Sequence, residues 1–445
     1  MTENLSSSVD YTDKPFHASK LKYSKRYTTN GQPSSFTCLQ SSESSWYRFL
    51  AVDVGDFVNP SKTTLNCQLD LAADIALANH VEVSAFSIVQ QMKVQNSLGE
   101  VLFETTNLPR YLRSTLFQNM MYQKFKTRDM SECTYPSNSA VASNPCCPYS
   151  GGAFLPTYVN YDDIKYQEVS AVPGALSLKF SFALGDIVHT ILACNKVLYT
   201  GVDHVEVLLT FAPYDKFCWK STGITVSNAP VISDIHMRVA IETNEQLKDS
   251  IKGRFDSSGL EVLYEYPMLW NQAASTSTTR SNTININKGL GDYLTRMYIT
   301  AFNATEALTL NLDNNNTAAK KIATIQTQLN HVNQRDNRLV CDSLDVWNEM
   351  KEQLSGTVIQ RKDQFDNIFT FQENYEGDVA KDEEGNLIRG KYIGSGDGVG
   401  DLKWTYDLTC STDNTSLYIF GVVLRKALFA KDKIHPRVLM PNYHE

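Results

Sequence analysis

Glycine is concentrated in one segment near the C-terminus, Gly394-Ser-Gly-Asp-Gly-Val-Gly400. Such a segment could hold a phosphate, because glycines let backbone amides approach an anion closely. The residues that follow, Leu402-Lys-Trp-Thr-Tyr, are typical of a strand, whereas a phosphate-binding loop leads into a helix. Neither the dinucleotide-binding fingerprint nor the Walker pattern fits this spacing. We therefore interpret the segment as a flexible loop.

Acids and thiols supply two candidate sets of metal ligands. Five acids could gather a calcium ion, although their spacing matches no EF-hand: Asp382, Glu383, Glu384, Asp397 and Asp401. The vicinal pair Cys146-Cys147 and nearby Cys133 could supply three thiols to zinc. No His lies within that loop, and tetrahedral zinc needs spaced ligands. We interpret these cysteines as small loop residues.

The other catalytic residue types show no recognisable arrangement. The eight His residues form no H-x-x-x-H or H-x-x-E-H pair, and no G-x-S-x-G segment is present. Carboxylates are abundant, but nothing singles out a pair suited to glycoside hydrolysis. We therefore predict that the chain is not an enzyme and has no catalytic residue, bound cofactor or metal.

Composition describes an ordinary folded chain with a preference for strands. The 445 residues are 42% hydrophobic and 20% charged, and they include 22 Tyr and 20 Phe. A net charge of −8 argues against a surface that binds nucleic acid throughout. No apolar run reaches the roughly 18 residues of a membrane span, and we expect no secretory signal. Nine scattered cysteines favour synthesis and assembly inside a cell, without secretion.

One succession of elements occurs twice, at a spacing of roughly 235 residues. In the first copy, a strand from Ile88 and a turn at Ser97-Leu-Gly99 precede a second strand and a helix-like run, Leu108–Leu116. In the second copy, Ile322–Leu329 leads through a polar turn to Arg338–Cys341 and a helix at 343–354. A repeat of this length predicts two copies of one β-rich domain.

The two predicted helices are amphipathic. In the first, Asn107 is a suitable N-cap, and Leu108, Leu112, Leu116 and Met120 follow at intervals of four. We predict that Leu112 and Leu116 pack on a sheet. In the second helix we predict the same for Trp347 and Met350.

Turn signals divide the chain into four parts. We predict a basic N-terminal arm at 1–33, a first β-sandwich at 34–225, a second at 226–430 and a polar tail at 431–445. Residues 221–230 are the predicted junction between the sandwiches. Residues 133–161 and 372–401 are predicted as large loops.

The arm carries five positive side chains and no acid between residues 14 and 26: Lys14, Lys20, Lys22, Lys25 and Arg26. Two interpretations remain open. The arm is a solvated terminus, or it docks on an acidic partner such as a neighbouring subunit, nucleic acid or a lipid surface.

Three segments of the sequence resemble segments of a known protein family. They are Met92-Lys-Val-Gln-Asn-Ser-Leu-Gly-Glu-Val-Leu-Phe-Glu104, Gly201-Val-Asp-His-Val-Glu-Val-Leu-Leu-Thr-Phe211 and Ile224-Thr-Val-Ser-Asn-Ala-Pro-Val-Ile-Ser-Asp234. The first resembles the first-domain hairpin of the double jelly-roll major capsid proteins of tailless icosahedral DNA viruses, the group that includes tectiviruses, virophages and polinton-like viruses. The second resembles the strand that closes the first jelly roll, and the third the crossing into the second.

The resemblance covers about residues 34 to 430 and implies an all-β fold of two tandem jelly-roll sandwiches with short flanking helices. It implies a non-catalytic structural subunit of the virion. Three subunits would form a pseudo-hexagonal capsomer, which would contact neighbouring capsomers and the penton and minor capsid proteins. The arm would lie at the base of the shell, against a minor protein, an inner membrane or the genome.

A second function class stays open on the sequence. Two tandem β-sandwiches also suit a receptor- or glycan-binding protein, such as a lectin or a viral fibre head. The mass of the particle in solution separates the two, because a capsomer is expected to be a homotrimer.

Overall fold

The structure is a computed structural model in which part of the chain is described. The described residues are 20–33, 36–37, 45–71, 83–84, 88–119, 134–135, 176–194, 196–213, 229–275, 279–285, 293–303, 322–329, 332–333, 335–341, 343–357, 362, 365, 370–375, 379–381, 387–392, 402–409 and 415–438. In these residues, no helix has the length and apolar character needed to cross a membrane.

Strands dominate both halves of the chain. The strands of the first half are β1 (Leu21–Arg26), β2 (Phe36–Thr37), β3 (Tyr47–Val52), β4 (Phe57–Val58), β5 (Thr64–Leu71), β6 (Val83–Ser84), β7 (Val89–Asn96), β8 (Val101–Thr105), β9 (Thr134–Tyr135), β10 (Leu176–Ala183), β11 (Leu198–Tyr199), β12 (Val205–Phe211) and β13 (Val231–Glu242). Those of the second half are β14 (Leu260–Ser275), β15 (Thr279–Asn285), β16 (Tyr293–Asn303), β17 (Ile322–Leu329), β18 (Val332–Asn333), β19 (Leu339–Val340), β20 (Phe371–Asn374), β21 (Val379–Lys381), β22 (Leu387–Arg389), β23 (Lys391–Tyr392), β24 (Leu402–Thr409), β25 (Thr415–Phe429) and β26 (Ile434–Val438).

Three α-helices accompany these strands in the described residues: α1 (Leu108–Asn119), α2 (Glu245–Ser258) and α3 (Leu344–Gln353). Short 3₁₀ turns occur at Pro60–Lys62, Leu184–Asp186 and Ile191–Ala193.

The first sandwich consists of two antiparallel sheets. One has the order β10-β5-β13-β4-β11, with β1 and β2 also paired to β13, and the other has the order β3-β12-β7-β8. All seven residues of β12 are buried. Val205, Val207, Leu209 and Phe211 are at most 1% exposed, and the intervening Glu206, Leu208 and Thr210 are 4–7% exposed, so both faces of this strand are covered.

The second sandwich repeats the plan. One sheet has the order β14-β25-β16-β20, with β23 on β16 and β26 on β25, and the other has β15-β24-β17-β18, with β19 on β17. The hairpins β7–β8 and β17–β19 are each followed by a helix, α1 or α3. The predicted repeat of strand, turn, strand and helix is therefore confirmed, as is the predicted fold class of two tandem jelly rolls.

Three predictions about organisation are corrected by the strand pairing. Part of the supposed arm is the strand β1, which pairs with β13 over its full length, from Leu21 with Glu242 to Arg26 with Met237. Strand β13 was expected in the second sandwich, but it lies in the first, paired with β5. The predicted loop 372–401 contains strands β21 to β23 and most of β20. Long-range pairing decides all three, and local turn signals cannot reveal it.

The helices begin where their caps predict. Asn107 Oδ1 accepts from the Arg110 amide (3.2 Å), and Ser343 Oγ accepts from the Asp345 amide (3.2 Å). Helix α2 starts after Asn244, whose side chain accepts from the Leu247 amide (3.3 Å). It extends to Ser258, and Leu247, Ile251 and Phe255 form its buried stripe.

Candidate functional site

Most of the candidate ligands for phosphate and metals lie outside the described residues. This applies to the Gly394–Gly400 loop, to Cys133, Cys146 and Cys147, and to the five acids between 382 and 401. Within the described ranges, no group of three or more His, Cys, Asp or Glu side chains is placed to hold a metal ion.

One described cluster has the residue types of a catalytic centre: His189, Glu265 and Tyr298. His189 Nδ1 donates to Glu265 Oε2 at 2.5 Å, and His189 Nε2 lies 2.7 Å from the Tyr298 hydroxyl. Asn119 at the end of α1 donates to the same hydroxyl at 2.9 Å. Sequence reasoning missed this cluster, because its members are 76 and 109 residues apart along the chain.

We call this cluster the clamp. Tyr298 is 0% and His189 7% exposed, whereas the Glu265 side chain is 32% exposed. Burial also raises the pKa of Tyr298 to about 12, which keeps the hydroxyl protonated at neutral pH. Burial acts to raise the pKa of Glu265, but the charges of His189 and Arg296 outweigh it, and the pKa is lowered.

The clamp joins the two sandwiches. His189 belongs to the first sandwich, whereas Glu265 on β14 and Tyr298 on β16 belong to the second. His189 also has a positive φ of 57°, a conformation that costs a non-glycine residue energy. The hydrogen bonds to Glu265 and Tyr298 hold His189 in this conformation.

A second set of contacts joins the two sandwiches around Asp203. Asp203 accepts from the amides of Ser97 (3.2 Å) and Ile434 (2.8 Å), and Asn96 donates to the Ile434 carbonyl (2.9 Å). The Asp203 pKa is lowered because these hydrogen bonds outweigh the effect of burial. Ile434, the first residue of β26, is thereby fixed to the first sandwich.

The apolar cores of the two sandwiches are continuous. Tyr111 of α1 meets Phe420 of β25 edge to face at 5.2 Å, and Tyr199 meets Phe255 of α2 at 4.9 Å. Gly201 has a φ of +66°, and a Cβ there would lie 2.5 Å from the Phe255 ring. The two jelly rolls therefore form one unit rather than two domains on a linker.

The structure places the predicted arm cations as follows. Lys14 lies outside the described residues, and Lys22 is exposed. The Lys20 amide donates to Glu242 (2.9 Å), and Lys25 pairs with Asp234 at 2.8 Å, chiefly through a hydrogen bond that lowers the Asp234 pKa. Arg26 donates to the Leu50 carbonyl (3.0 Å) and pairs with Asp56. Arg26 thus already has partners within its own sandwich.

The predicted core residues of the helices fall into three groups. Leu112 and Met350 are 0% exposed. Trp347 is only partly buried and lies 5.9 Å from the Phe365 ring. Leu116 belongs to α1, but its side chain is outside the described part. Tyr111 and Val346, both 0% exposed, were missed although the same helical periodicity contains them.

Comparisons with known proteins identify the architecture. No protein-family model and no curated protein matches the sequence. Solved structures do match at probability 1.00. A chain of the PBCV-1 virus capsid has a TM-score of 0.58 at 10% identity, covering 95% of this chain and 97% of that one. A Sputnik virophage chain has a TM-score of 0.52 at 10% identity, covering 94% and 88%, and the Faustovirus major capsid protein has 0.51 at 10%, covering 94% and 92%.

These likenesses extend over nearly the whole chain, so they concern the order of both sandwiches and not one common motif. The chain has the double jelly-roll fold, and the resemblance inferred from the sequence is confirmed at the level of fold. At 10% identity, the fold is what the comparison establishes.

Proposed function

We propose that the protein is the major capsid protein of an icosahedral virus, a structural subunit without catalytic activity. The observation that carries the proposal is the joining of two jelly rolls through one continuous core, in an order shared with a PBCV-1 capsid chain over 95% of the length. A subunit that tiles a shell needs a fixed angle between its two sandwiches. The buried clamp and the continuous core supply it.

The proposed assembly is a homotrimer. Six similar sandwiches would then surround the axis and give a pseudo-hexagonal capsomer, which packs against neighbouring capsomers and against penton and minor proteins in the virion. Repetition by symmetry makes modest contacts sufficient. Assembly inside the host cell, without secretion, belongs to the same proposal.

In this proposal, only the segment before β1 has the role that was predicted for the whole arm. Residues 1–19 precede β1 and include Lys14, whereas Lys20 to Arg26 are fixed on β13 by backbone pairing. We propose that the segment before β1 contacts the inner layer, either a minor protein, a membrane or the genome. No observation in the described part of the chain favours the alternative of a glycan- or receptor-binding protein.

The experiment is a mass measurement of the purified protein by light scattering across micromolar concentrations. Three chains of 50.0 kDa give about 150 kDa, and this mass is expected throughout the range. A monodisperse 50.0 kDa species would contradict the proposal.

A further inference from the structure

The outer face of the β1–β13 pair carries an unusual group of exposed rings and cations. This β1 face consists of Tyr23, Lys25, Tyr27, partly buried His236 and Arg238. Exposed Asp234 lies at its border, where it pairs with Lys25 at 2.8 Å. Tyr23 is 45% and Tyr27 50% exposed. The register places Lys25 opposite Arg238, so both side chains lie on the same side of the sheet. Exposed tyrosines beside an arginine are the composition typical of the centre of a protein interface.

Contacts within the β1 face hold its side chains in place. The Arg238 guanidinium lies 3.9 Å from the centre of the Tyr23 ring, and Lys25 Nζ lies 5.0 Å from that of Tyr27. His236 is 6.1 Å from the Tyr27 ring. Because these groups are already ordered, binding a partner here costs little side-chain entropy.

The second sandwich exposes a surface of opposite character on α3. This α3 crest consists of Val340, Leu344, Asp345, Asn348 and Glu352. Leu344 is 64% and Val340 50% exposed, although the opposite side of the helix buries Val346 and Met350 completely. Asp345, Asn348 and Glu352 are also exposed, at the three- and four-residue spacing that brings helical side chains together. The crest is thus apolar at one end and carries two acids, Asp345 and Glu352, along its length, while Lys351 at its side donates to Asn348 at 3.1 Å.

We propose that the β1 face of one copy docks on the α3 crest of a second copy. The inference rests on the proposed trimer and names the surfaces that form it. Rings of Tyr23 and Tyr27 would cover Leu344 and Val340, and Arg238 would face Asp345 and Glu352. Because one surface lies on the first sandwich and the other on the second, the contact is head to tail. Such a contact closes into a ring in which first and second sandwiches alternate.

Charge reversal tests the docking. Arg238→Glu is expected to weaken the trimer by about tenfold or more, because like charges would then meet in the contact. Lys252→Glu on the exposed side of α2 changes the net charge equally and serves as the matched control. The double variant Arg238→Glu/Glu352→Arg restores opposite charges and is expected to recover most of the lost affinity. Sedimentation over a dilution series measures the trimer dissociation constant, and thermal melting verifies that each variant folds.

Two results would overturn the docking: an Arg238→Glu trimer as tight as the Lys252→Glu trimer, or a double variant no tighter than Arg238→Glu alone. Should Arg238→Glu fail to fold, Glu352→Arg gives the same test from the helix side, with the same expected loss. A wild-type protein that is monomeric would contradict the proposed function itself. A wild-type trimer that is insensitive to these changes would overturn only the choice of surfaces.

Discussion

The clamp between the sandwiches makes a prediction about pH that can be worked out from its geometry. We predict that Glu265→Gln lowers the melting temperature at pH 7 and that this difference disappears in acid. The folded protein lowers the Glu265 pKa below its ordinary 4.5. A carboxyl group with a lowered pKa adds stability above the unfolded pKa and loses it as the pH falls through the folded value. The wild type therefore loses this contribution below about pH 4.5, whereas glutamine has no charge to lose.

The size of the effect follows from the contact that changes. A hydrogen bond to a charged group contributes about 1.5–3 kcal/mol, and one between neutral groups about 0.5–1.5 kcal/mol. The Glu265 side chain is 32% exposed, so water screens part of its charge and the lower end applies. We expect a difference of about 1 kcal/mol, which corresponds to about 1 °C in melting temperature for a single cooperative unit of 445 residues.

The assay is differential scanning calorimetry from pH 3 to pH 8, with Tyr298→Phe as the control. That change removes the hydroxyl bonded to buried His189 and is expected to cost about 1–3 kcal/mol. Its deficit should remain throughout, because Tyr298, with a pKa of about 12, does not ionise in this range. The reasoning is refuted if Glu265→Gln melts like the wild type at pH 7, or if its deficit grows towards pH 3.

Three further predictions concern the core, the glycine of β25 and the arm. Leu112→Ala and Met350→Ala should each cost about 2–5 kcal/mol by calorimetry, because both side chains are 0% exposed. Leu98→Ala, at a side chain that is 67% exposed and outside both proposed docking surfaces, should cost less than about 0.5 kcal/mol. Equal melting of all three variants would contradict the packing of α1 and α3. Gly421→Ala should cost about 1–3 kcal/mol, because its Cβ would lie 2.4 Å from the Trp270 ring. Gly253→Ala, on the open side of α2, should be neutral or stabilising. A Gly421→Ala variant that melts at a higher temperature than Gly253→Ala would contradict this β14–β25 contact. Removing residues 1–19 should leave the melting temperature and the trimer mass unchanged but reduce the yield of particles. Removing residues 1–26 should also lower the melting temperature, because β13 loses its partner β1. Identical melting temperatures for the two truncations would show that β1 adds nothing to the stability of the fold.

The local elements could be predicted from the sequence because their signals are local. The hairpins β7–β8 and β17–β19, and the caps Asn107 and Ser343, depend on residues within a few positions of each other. Periodicity also placed Leu112 and Met350 in the core. Trp347 packs against the same core but is only partly buried, because the buried stripe of α3 is centred on Val346 and Met350, and one residue turns the helix by about 100°.

The remaining features depend on partners far away in the chain. Leu21–Arg26 resembles a solvated basic terminus in isolation, since nothing nearby indicates that β13 lies more than 200 residues later. The same limit hides the clamp, because a lone histidine in a turn carries no sign of Glu265 or Tyr298. The repeat showed that two sandwiches exist, but strand pairing decides which of them contains β13.

The central claim is that this chain is a shell-forming subunit, and electron microscopy of the purified protein tests it most directly. We predict class averages with three-fold symmetry and six similar lobes, together with closed shells built from such particles under assembly conditions. Single-chain particles with two lobes, and no larger assembly at any protein concentration or ionic strength, would contradict the claim.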